Sequence, residues 1–199
     1  MSDIPHQPIP QKSIIGRRLM LGVPLVVLAA AGGGWAMMLA RMQKGEFDPH
    51  SLPSQLIGKR VPDFALPGLD GPGFNGAYLQ NPRQPMLVNF FASWCVPCVQ
   101  EAGVLGEIAR QGLPIWGITY KDAPDATRAF LKRNGNAYAR VAIDRPGRVA
   151  INWGVYGVPE TYFIDGEGIV RWRYAGALTD AVVQRDIVPL LQRAEKSAS

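Results

Sequence analysis

A buried-strand pattern, two cysteines and a helical pattern follow one another directly in the middle of the chain. Residues 86–92 are apolar apart from one asparagine and predict a buried strand. Apolar side chains then recur at helical spacing, which predicts a helix from about residue 95 to 110. Cys95 and Cys98, the only cysteines, therefore lie where a strand turns into a helix. Pro97 fits the first helical turn, where its missing N–H costs nothing.

This position favours a reactive dithiol. Free N–H groups and the helix dipole at the first turn stabilise a thiolate on Cys95. A purely structural disulfide would gain little, because closing so short a loop removes little entropy from the unfolded chain. A zinc site needs about four ligands, and the two histidines, His6 and His50, lie far upstream. A carrier that binds a soft metal such as Cu(I) through the two thiolates stays open.

The basic charge of the chain is concentrated at its N-terminus. Of the net charge of +5, residues 1–44 carry +4, and the remaining chain carries only +1. A domain that binds nucleic acid would need its cations clustered on the folded part, where they neutralise phosphates. The sequence therefore argues against a nucleic-acid partner.

Residues 19–40 contain no charged side chain and predict a transmembrane helix. As a helix the 22 residues would span about 33 Å, which is enough to cross the hydrocarbon core. Lys12, Arg17 and Arg18 precede the span, so the positive-inside rule predicts a cytoplasmic tail at residues 1–18. We therefore expect a single-pass signal-anchor in the bacterial inner membrane.

Two other interpretations of this segment stay open. Cleavage near residues 29–31 would make it a signal peptide, and the pair Arg17-Arg18 could belong to a twin-arginine signal. With an uncleaved anchor, residues 41–59 form a linker and residues 60–199 form a domain on the periplasmic side. Cysteine pairs can be oxidised in that compartment.

The pattern of the domain predicts an α/β fold. Further strand patterns lie at residues 61–66, 114–120, 141–144, 161–164 and 169–174. Asp122 or Asp125 can cap a helix that ends near Gly135, Thr179 can cap the last helix, and Pro189 predicts a kink or a break in it. Strand–helix–strand units followed by a hairpin and a helix specify a mixed central sheet with helices on both faces.

The motifs resemble those of thioredoxin-fold proteins, and more closely those of the membrane-anchored DsbE/CcmG group that acts in cytochrome c maturation. The matching stretches are Asp48-Pro49, Leu56-Ile57-Gly58-Lys59, Trp94-Cys95-Val96-Pro97-Cys98 and Gly154-Val155-Tyr156-Gly157-Val158-Pro159-Glu160-Thr161. The resemblance covers about residues 46–195. It implies a thioredoxin-like fold and no cofactor other than a redox-active disulfide between the two cysteines.

The resemblance also implies roles for individual residues. Cys95 would be the exposed, attacking thiol, and Cys98 would be the resolving thiol, buried one turn along the helix. Pro159 would be a cis proline facing them, and the backbone of Val158 could pair with an extended segment of the substrate. The substrate is then expected to contact three side chains beside the cysteines, Trp94, Val96 and Pro97.

One position departs from thioredoxins, which carry a buried aspartate six residues before the first cysteine. This chain has Asn89 there, and a neutral amide cannot deprotonate the resolving thiol, so another carboxylate or water must serve. Glu101 lies three residues after Cys98 on the apolar stripe of the predicted helix, and Glu160 follows Pro159. We expect both carboxylates near the dithiol, although either could instead be a solvated surface charge.

Three hypotheses for the function follow. The first is a reductase that acts on the Cys-x-x-Cys haem-attachment site of apocytochrome c, or on a thiol protein of the same maturation system. The resemblance implies that such an enzyme is itself reduced by a membrane electron donor. A carboxylate beside its dithiol favours a reductant because it raises the thiol pKa. The second is a general oxidase or isomerase of secreted proteins. The third is a module that binds Cu(I) or apocytochrome without turnover.

Overall fold

The computed structural model describes residues 27–38 and 54–198. These residues fall in two compact units, Met1–Pro49 and His50–Ser199. In the first unit, residues 27–38 form a helix, α1. None of the helices in the described ranges is both long enough and apolar enough to cross a membrane. The predicted span at 19–40 extends beyond these ranges on both sides, and the tail at 1–18 lies wholly outside them.

The second unit begins before the predicted domain boundary at residue 60. Residues 54–59, predicted as the end of the linker, pack onto the domain. The Gly58 N–H donates to the Val170 carbonyl over 2.8 Å, and Leu56 contacts the core. The predicted strand at 61–66 is confirmed only at its end. Pro62 has no N–H to donate to a ladder, and pairing starts three residues later.

Two short strands precede the main sheet. Strand β1 (Ala65–Leu66) pairs antiparallel with β2 (Phe74–Asn75), and helix α2 (Gly76–Gln80) follows directly. The Asn75 side chain caps α2 by accepting from the Tyr78 N–H. The connection between these strands contains Pro67-Gly68 and Pro72-Gly73, two dipeptides typical of turns.

Five strands form the central sheet, in the spatial order β5-β4-β3-β6-β7. They are β3 (Met86–Phe91), β4 (Ile115–Tyr120), β5 (Arg140–Asp144), β6 (Glu160–Ile164) and β7 (Val170–Ala175). Strands β3, β4 and β5 are parallel to one another, β6 runs antiparallel to β3, and β7 runs antiparallel to β6, so the predicted mixed sheet is confirmed. All six residues of the central strand β3 are buried, because the sheet is covered on both faces.

Helices cover the two faces as predicted. They are α3 (Val96–Arg110), α4 (Pro124–Asn134), α5 (Arg148–Asn152), α6 (Asp180–Val182) and, after a π-helical turn (Val183–Ile187), α7 (Val188–Ala198). Leu105 and Ile108 of α3 pack on one face of the sheet with Leu87. Trp153, directly after α5, packs on the other face with Phe90.

The helix ends differ from the expectations in two places. Helix α4 starts after Ala123 without a side-chain cap, so neither Asp122 nor Asp125 has the predicted capping role. Thr179 does cap α6, accepting from the Val182 N–H. The π-helical turn ends two residues before Pro189, whose missing N–H removes one α-helical hydrogen bond. The predicted irregularity is therefore a widened turn rather than a break.

Candidate active site

Cys95 and Cys98 form a disulfide just beyond the carboxyl end of β3, with their Cα atoms 5.3 Å apart. Cys95 is the N-cap residue of α3, and its Sγ accepts a hydrogen bond from the Cys98 backbone N–H over 3.2 Å. Pro97 lies in the first turn, as predicted. When the disulfide is reduced, the helix N-terminus therefore faces the Cys95 sulfur and favours its thiolate over the thiol.

The exposure of the two cysteines corrects one expectation. Cys98 is 2% exposed, as predicted for a resolving thiol, but Cys95 is only 4% exposed in the oxidised protein. Both pack in a cluster with Phe91 and Ala92. Accessibility therefore does not separate the two sulfurs, and what distinguishes Cys95 is its position at the helix N-terminus.

The loop before β6 lies against the disulfide. The Val158–Pro159 peptide bond is cis, which confirms the expectation for this proline. The Val158 carbonyl oxygen lies 3.4 Å from the Cys95 sulfur. The backbone expected to pair with substrate is therefore beside the sulfur expected to attack it.

Exposed apolar side chains surround the buried disulfide. Trp94 is 58% exposed and Val96 is 70% exposed, and Pro97 is exposed as well. Trp94 leans toward Tyr120, with 6.5 Å between the ring centroids. Large apolar side chains exposed next to a reactive centre indicate a surface that binds another protein.

Glu101 is fully buried on the inner face of α3. Its Oε1 accepts from the Asn89 side-chain amide, and its Oε2 accepts from the Leu178 backbone N–H, both over 3.0 Å. Burial raises the pKa of this carboxyl from 4.5 to about 7, although the two hydrogen bonds act in the opposite direction. Glu101 is therefore not a solvated charge, and it gains or loses its proton near neutral pH.

Asn89 links this carboxyl to the central strand. Its Nδ2 also donates to Thr161 Oγ1, and its Oδ1 accepts from the Tyr138 hydroxyl over 2.7 Å. Burial and the charge of Glu101 raise the Tyr138 pKa well above its usual value, so the phenol remains a donor. An aspartate at position 89 would offer Glu101 no donor and would place two carboxylates side by side. The carboxylate that thioredoxins carry on the strand is thus displaced onto the helix.

Glu160 does not join Glu101. Successive strand residues face opposite sides of the sheet, and Thr161 shares the side of Asn89 whereas Glu160 lies on the other side, opposite Phe90 in the register. The buried Glu160 Oε1 accepts from the Tyr162 hydroxyl and pairs with Arg173. Glu160 is therefore neither a solvated charge nor a second acid on the α3 side, and Arg173 compensates its charge.

Asp122 is a buried site residue that the sequence assigned only to a helix cap. Its Oδ2 accepts from the Ser93 N–H over 2.7 Å and from the Thr127 hydroxyl over 3.1 Å. Its Oδ1 accepts from the Ser93 hydroxyl over 2.8 Å and from the Ala123 N–H over 2.9 Å. Ser93 lies two residues before Cys95, so Asp122 fixes the loop that carries the attacking sulfur. One signal was available: neighbouring parallel strands end at the same sheet edge, so an acid directly after β4 lies beside the loop that follows β3.

Within the part of the chain that the structure describes, no group of three or more His, Cys, Asp or Glu side chains is arranged to hold a metal ion. A carrier that binds Cu(I) through the two thiolates alone would not require such a group.

Known proteins are similar to this sequence over most of its length. The thiol:disulfide interchange protein DsbE of Escherichia coli K12 is 40% identical over 184 residues, which is 92% of this chain and 99% of the relative. The chain belongs to the DsbE family. The thiol:disulfide interchange protein HelX of Rhodobacter capsulatus is 38% identical over 175 residues, covering 86% of this chain and 95% of the relative. The model of the AhpC/TSA family matches residues 57–173.

Solved structures agree with this membership. A Chlorobium tepidum protein described as a thiol:disulfide interchange protein DsbE aligns with a TM-score of 0.56 and 26% identity, covering 71% of this chain and 99% of that one. The structure of MTB dsbF in mixed oxidised and reduced forms aligns with a TM-score of 0.57 and 27% identity, covering 70% and 99%. This DsbE-family protein is thus a thiol:disulfide oxidoreductase with a thioredoxin-like fold, as the motifs predict.

Proposed function

We propose that this DsbE-family protein reduces the disulfide of the Cys-x-x-Cys haem-attachment site in apocytochrome c, or that of a thiol protein in the same maturation system. The observation that carries the direction of electron flow is Glu101, a buried carboxyl that titrates near neutral pH one helical turn beyond Cys98. Its negative charge disfavours a thiolate nearby and so makes the dithiol a better reductant.

The reaction consists of two displacements. The Cys95 thiolate attacks one sulfur of the client disulfide, forms an S–S bond with it and releases the other client sulfur as a thiolate, which takes up a proton. Cys98 then loses its proton and attacks Cys95, which forms the Cys95–Cys98 disulfide and releases the second client thiolate. Two electrons pass to the client, and the oxidised structure corresponds to the product state of the enzyme.

Glu101 is our candidate for the acceptor of the Cys98 proton. A base with a pKa near the working pH can both take up and return a proton, and the pKa of Glu101 is about 7. In the oxidised protein its oxygens accept from Asn89 and Leu178, so this role rests on position and pKa rather than on a contact with sulfur. The pH dependence of the second displacement tests it.

The client would bind as an extended segment across the loop that precedes β6. The backbone of Val158 would pair with it, and Trp94, Val96 and Pro97 would contact its side chains. The exposed fractions of Trp94 and Val96 and the 3.4 Å separation between the Val158 oxygen and the Cys95 sulfur support this arrangement.

We place the protein in the bacterial inner membrane, anchored by residues 19–40 with the domain in the periplasm. An oxidising compartment would keep the dithiol oxidised, so a membrane thiol-reducing donor must return electrons to it. Protease added to spheroplasts should remove the domain and leave a short membrane fragment. A domain that stays protected until lysis would contradict this topology.

Trapping the client tests the proposed function. A Cys98→Ala variant keeps the attacking thiol but cannot resolve the mixed disulfide, so apocytochrome c or a maturation protein should be recovered with it from intact membranes. The matched Cys95→Ala variant should trap far less. Recovery of many unrelated secreted proteins without any of these would favour a general oxidase or isomerase. Tight Cu(I) binding by the reduced protein would favour a metal carrier.

A further inference from the structure

A continuous row of side chains leads from the disulfide to a positively charged surface. Trp94 is next to Cys95 in sequence and lies beside Tyr120, with 6.5 Å between their ring centroids. The Lys121 ammonium group lies 5.0 Å from the centroid of the Tyr120 ring. Lys121 is exposed, so a positive charge lies at the edge of the apolar surface that includes Trp94.

The turn between β5 and α5 adds two more cations to the same place. Lys121 is tied to this turn, because its N–H donates to the Asp144 carbonyl over 3.1 Å. Gly147 packs so closely that a Cβ there would lie 2.8 Å from both Lys121 Cε and Tyr120 Cε2. Arg145 and Arg148 flank this glycine, and both are exposed. We call Lys121, Arg145 and Arg148 the cationic rim.

The three cations of the rim are exposed, whereas the acids adjacent to them in sequence, Asp122 and Asp144, are buried. Among the described residues, none of its three members takes part in an ion pair. Asp122 and Asp144 accept from neutral groups, Asp122 from Ser93 and Thr127 and Asp144 from the Ala150 N–H, and neither forms an ion pair with the rim, whereas Asp125 pairs with Arg128. The chain after residue 44 has a net charge of only +1, so the rim is a local concentration of charge rather than part of a basic domain.

We propose that the cationic rim binds an acidic segment of the protein that exchanges its disulfide with Cys95. The inference rests on the proposed function, because it concerns the partner of the same site. A partner that reaches Cys95, which is only 4% exposed, must come into close contact with Trp94 and therefore with the neighbouring rim. Attraction between unpaired charges acts over about 10 Å at 0.1 M salt and accelerates the encounter of oppositely charged surfaces.

Two peptides that differ only in charge test the proposal. Each contains one Cys-x-x-Cys, flanked in the first by Asp and Glu and in the second by Asn and Gln. Rates of exchange with the full-length protein, held in a neutral detergent, are measured in both directions. At low ionic strength we expect the acidic peptide to react roughly ten-fold faster than the neutral one, and we expect the ratio to approach one in 1 M salt.

Substitutions identify the source of the preference. The triple variant Lys121→Gln, Arg145→Gln, Arg148→Gln should reduce the ratio of acidic to neutral rates to about one. The control variant Lys132→Gln, Arg133→Gln removes two exposed cations in the last turn of α4, away from the cationic rim. It should leave the ratio of acidic to neutral rates unchanged. The use of a ratio cancels any change in thiol reactivity that affects both peptides equally.

Each other outcome decides the question. Equal rates for the two peptides, or a preference that survives in the triple variant, would overturn the proposal. So would binding to vesicles of anionic phosphatidylglycerol that the triple variant loses, without a peptide preference, because the rim would then serve the membrane. If the protein oxidises the peptides and never reduces them, the proposed reductase function fails, but the ratio of the oxidation rates still tests the rim.

Discussion

The buried carboxyl of Glu101 makes a quantitative prediction about stability. Its pKa is raised from 4.5 to about 7 by burial. Below pH 4.5 the group is protonated in both the folded and the unfolded chain. Between pH 4.5 and 7 the unfolded chain releases the proton while the folded chain keeps it, so the folded state loses stability as the pH rises. Because one pKa unit corresponds to 1.36 kcal/mol, the loss from this group is about 3 kcal/mol, and it is complete above pH 7.

Urea unfolding of the oxidised protein between pH 5 and 8 measures this contribution. A Glu101→Gln variant cannot titrate at this position, so its free energy of unfolding should lack this decline. The glutamine amino group would face one of the two donors, Asn89 or Leu178, which costs about 1–3 kcal/mol at every pH. The variant should therefore be less stable than the wild type at pH 5, and by pH 8 the difference should have moved by about 2.5 kcal/mol in favour of the variant, because part of the loss in the wild type occurs below pH 5.

A second carboxyl on the same helix provides the control. Glu107 lies on the exposed side of α3, where it pairs with Arg110. Glu107→Gln should follow the pH profile of the wild type. If the profiles of Glu101→Gln and the wild type run parallel from pH 5 to 8, Glu101 does not titrate there, and the reasoning about its burial is wrong.

Three further predictions concern the dithiol. Glu101→Gln should make the Cys95–Cys98 couple more oxidising, by up to about 30 mV for each unit by which the thiol pKa falls. The difference in reduction potential between variant and wild type should widen from pH 6 to 8, because Glu101 ionises in the wild type. Equal potentials in glutathione titrations at every pH would refute this. In the reduced protein Cys95 should be alkylated faster than Cys98, and equal labelling by mass spectrometry would count against the helix-cap argument. Asp122→Asn should destabilise the protein by about 1–3 kcal/mol in urea unfolding, because all four groups that contact Asp122 are donors and the asparagine amino group cannot accept from them. It should also shift the Cys95 pKa, and both effects should be larger than those of Ser93→Ala. An unchanged Cys95 pKa would contradict the positioning role of Asp122.

Local patterns were sufficient to predict the centre of the site. The strand, the cysteine pair and the helix are contiguous in sequence, and helical spacing alone places Glu101 on the buried side of α3. The cis bond before Pro159 followed from the resemblance of its motif, since sequence spacing by itself favours trans.

Features that depend on tertiary packing were not predictable in the same way. Glu160 lies two residues from the Val158 that contacts the disulfide, yet the register of β6 against β3 turns its side chain to the far face, toward Arg173 on β7. Asp122 acquires its partners only because β3 and β4 end at one sheet edge. The burial of Cys95 depends on contacts with residues such as Val158, 63 positions along the chain. Sequence periodicity predicts the type of a single element, whereas the partners of Glu160 and Asp122 and the burial of Cys95 depend on how several elements pack together.

The most direct test of the proposed reductase function uses apocytochrome c whose Cys-x-x-Cys is oxidised to a disulfide. Reduced full-length protein is mixed with it, and the thiols of both proteins are counted by mass spectrometry after alkylation. We predict that the apocytochrome gains two thiols while Cys95 and Cys98 become a disulfide, and that the Cys98→Ala variant stops at a one-to-one adduct through Cys95. An apocytochrome that stays oxidised in the presence of excess reduced protein, or reduced apocytochrome that becomes oxidised by the Cys95–Cys98 disulfide, would contradict the account.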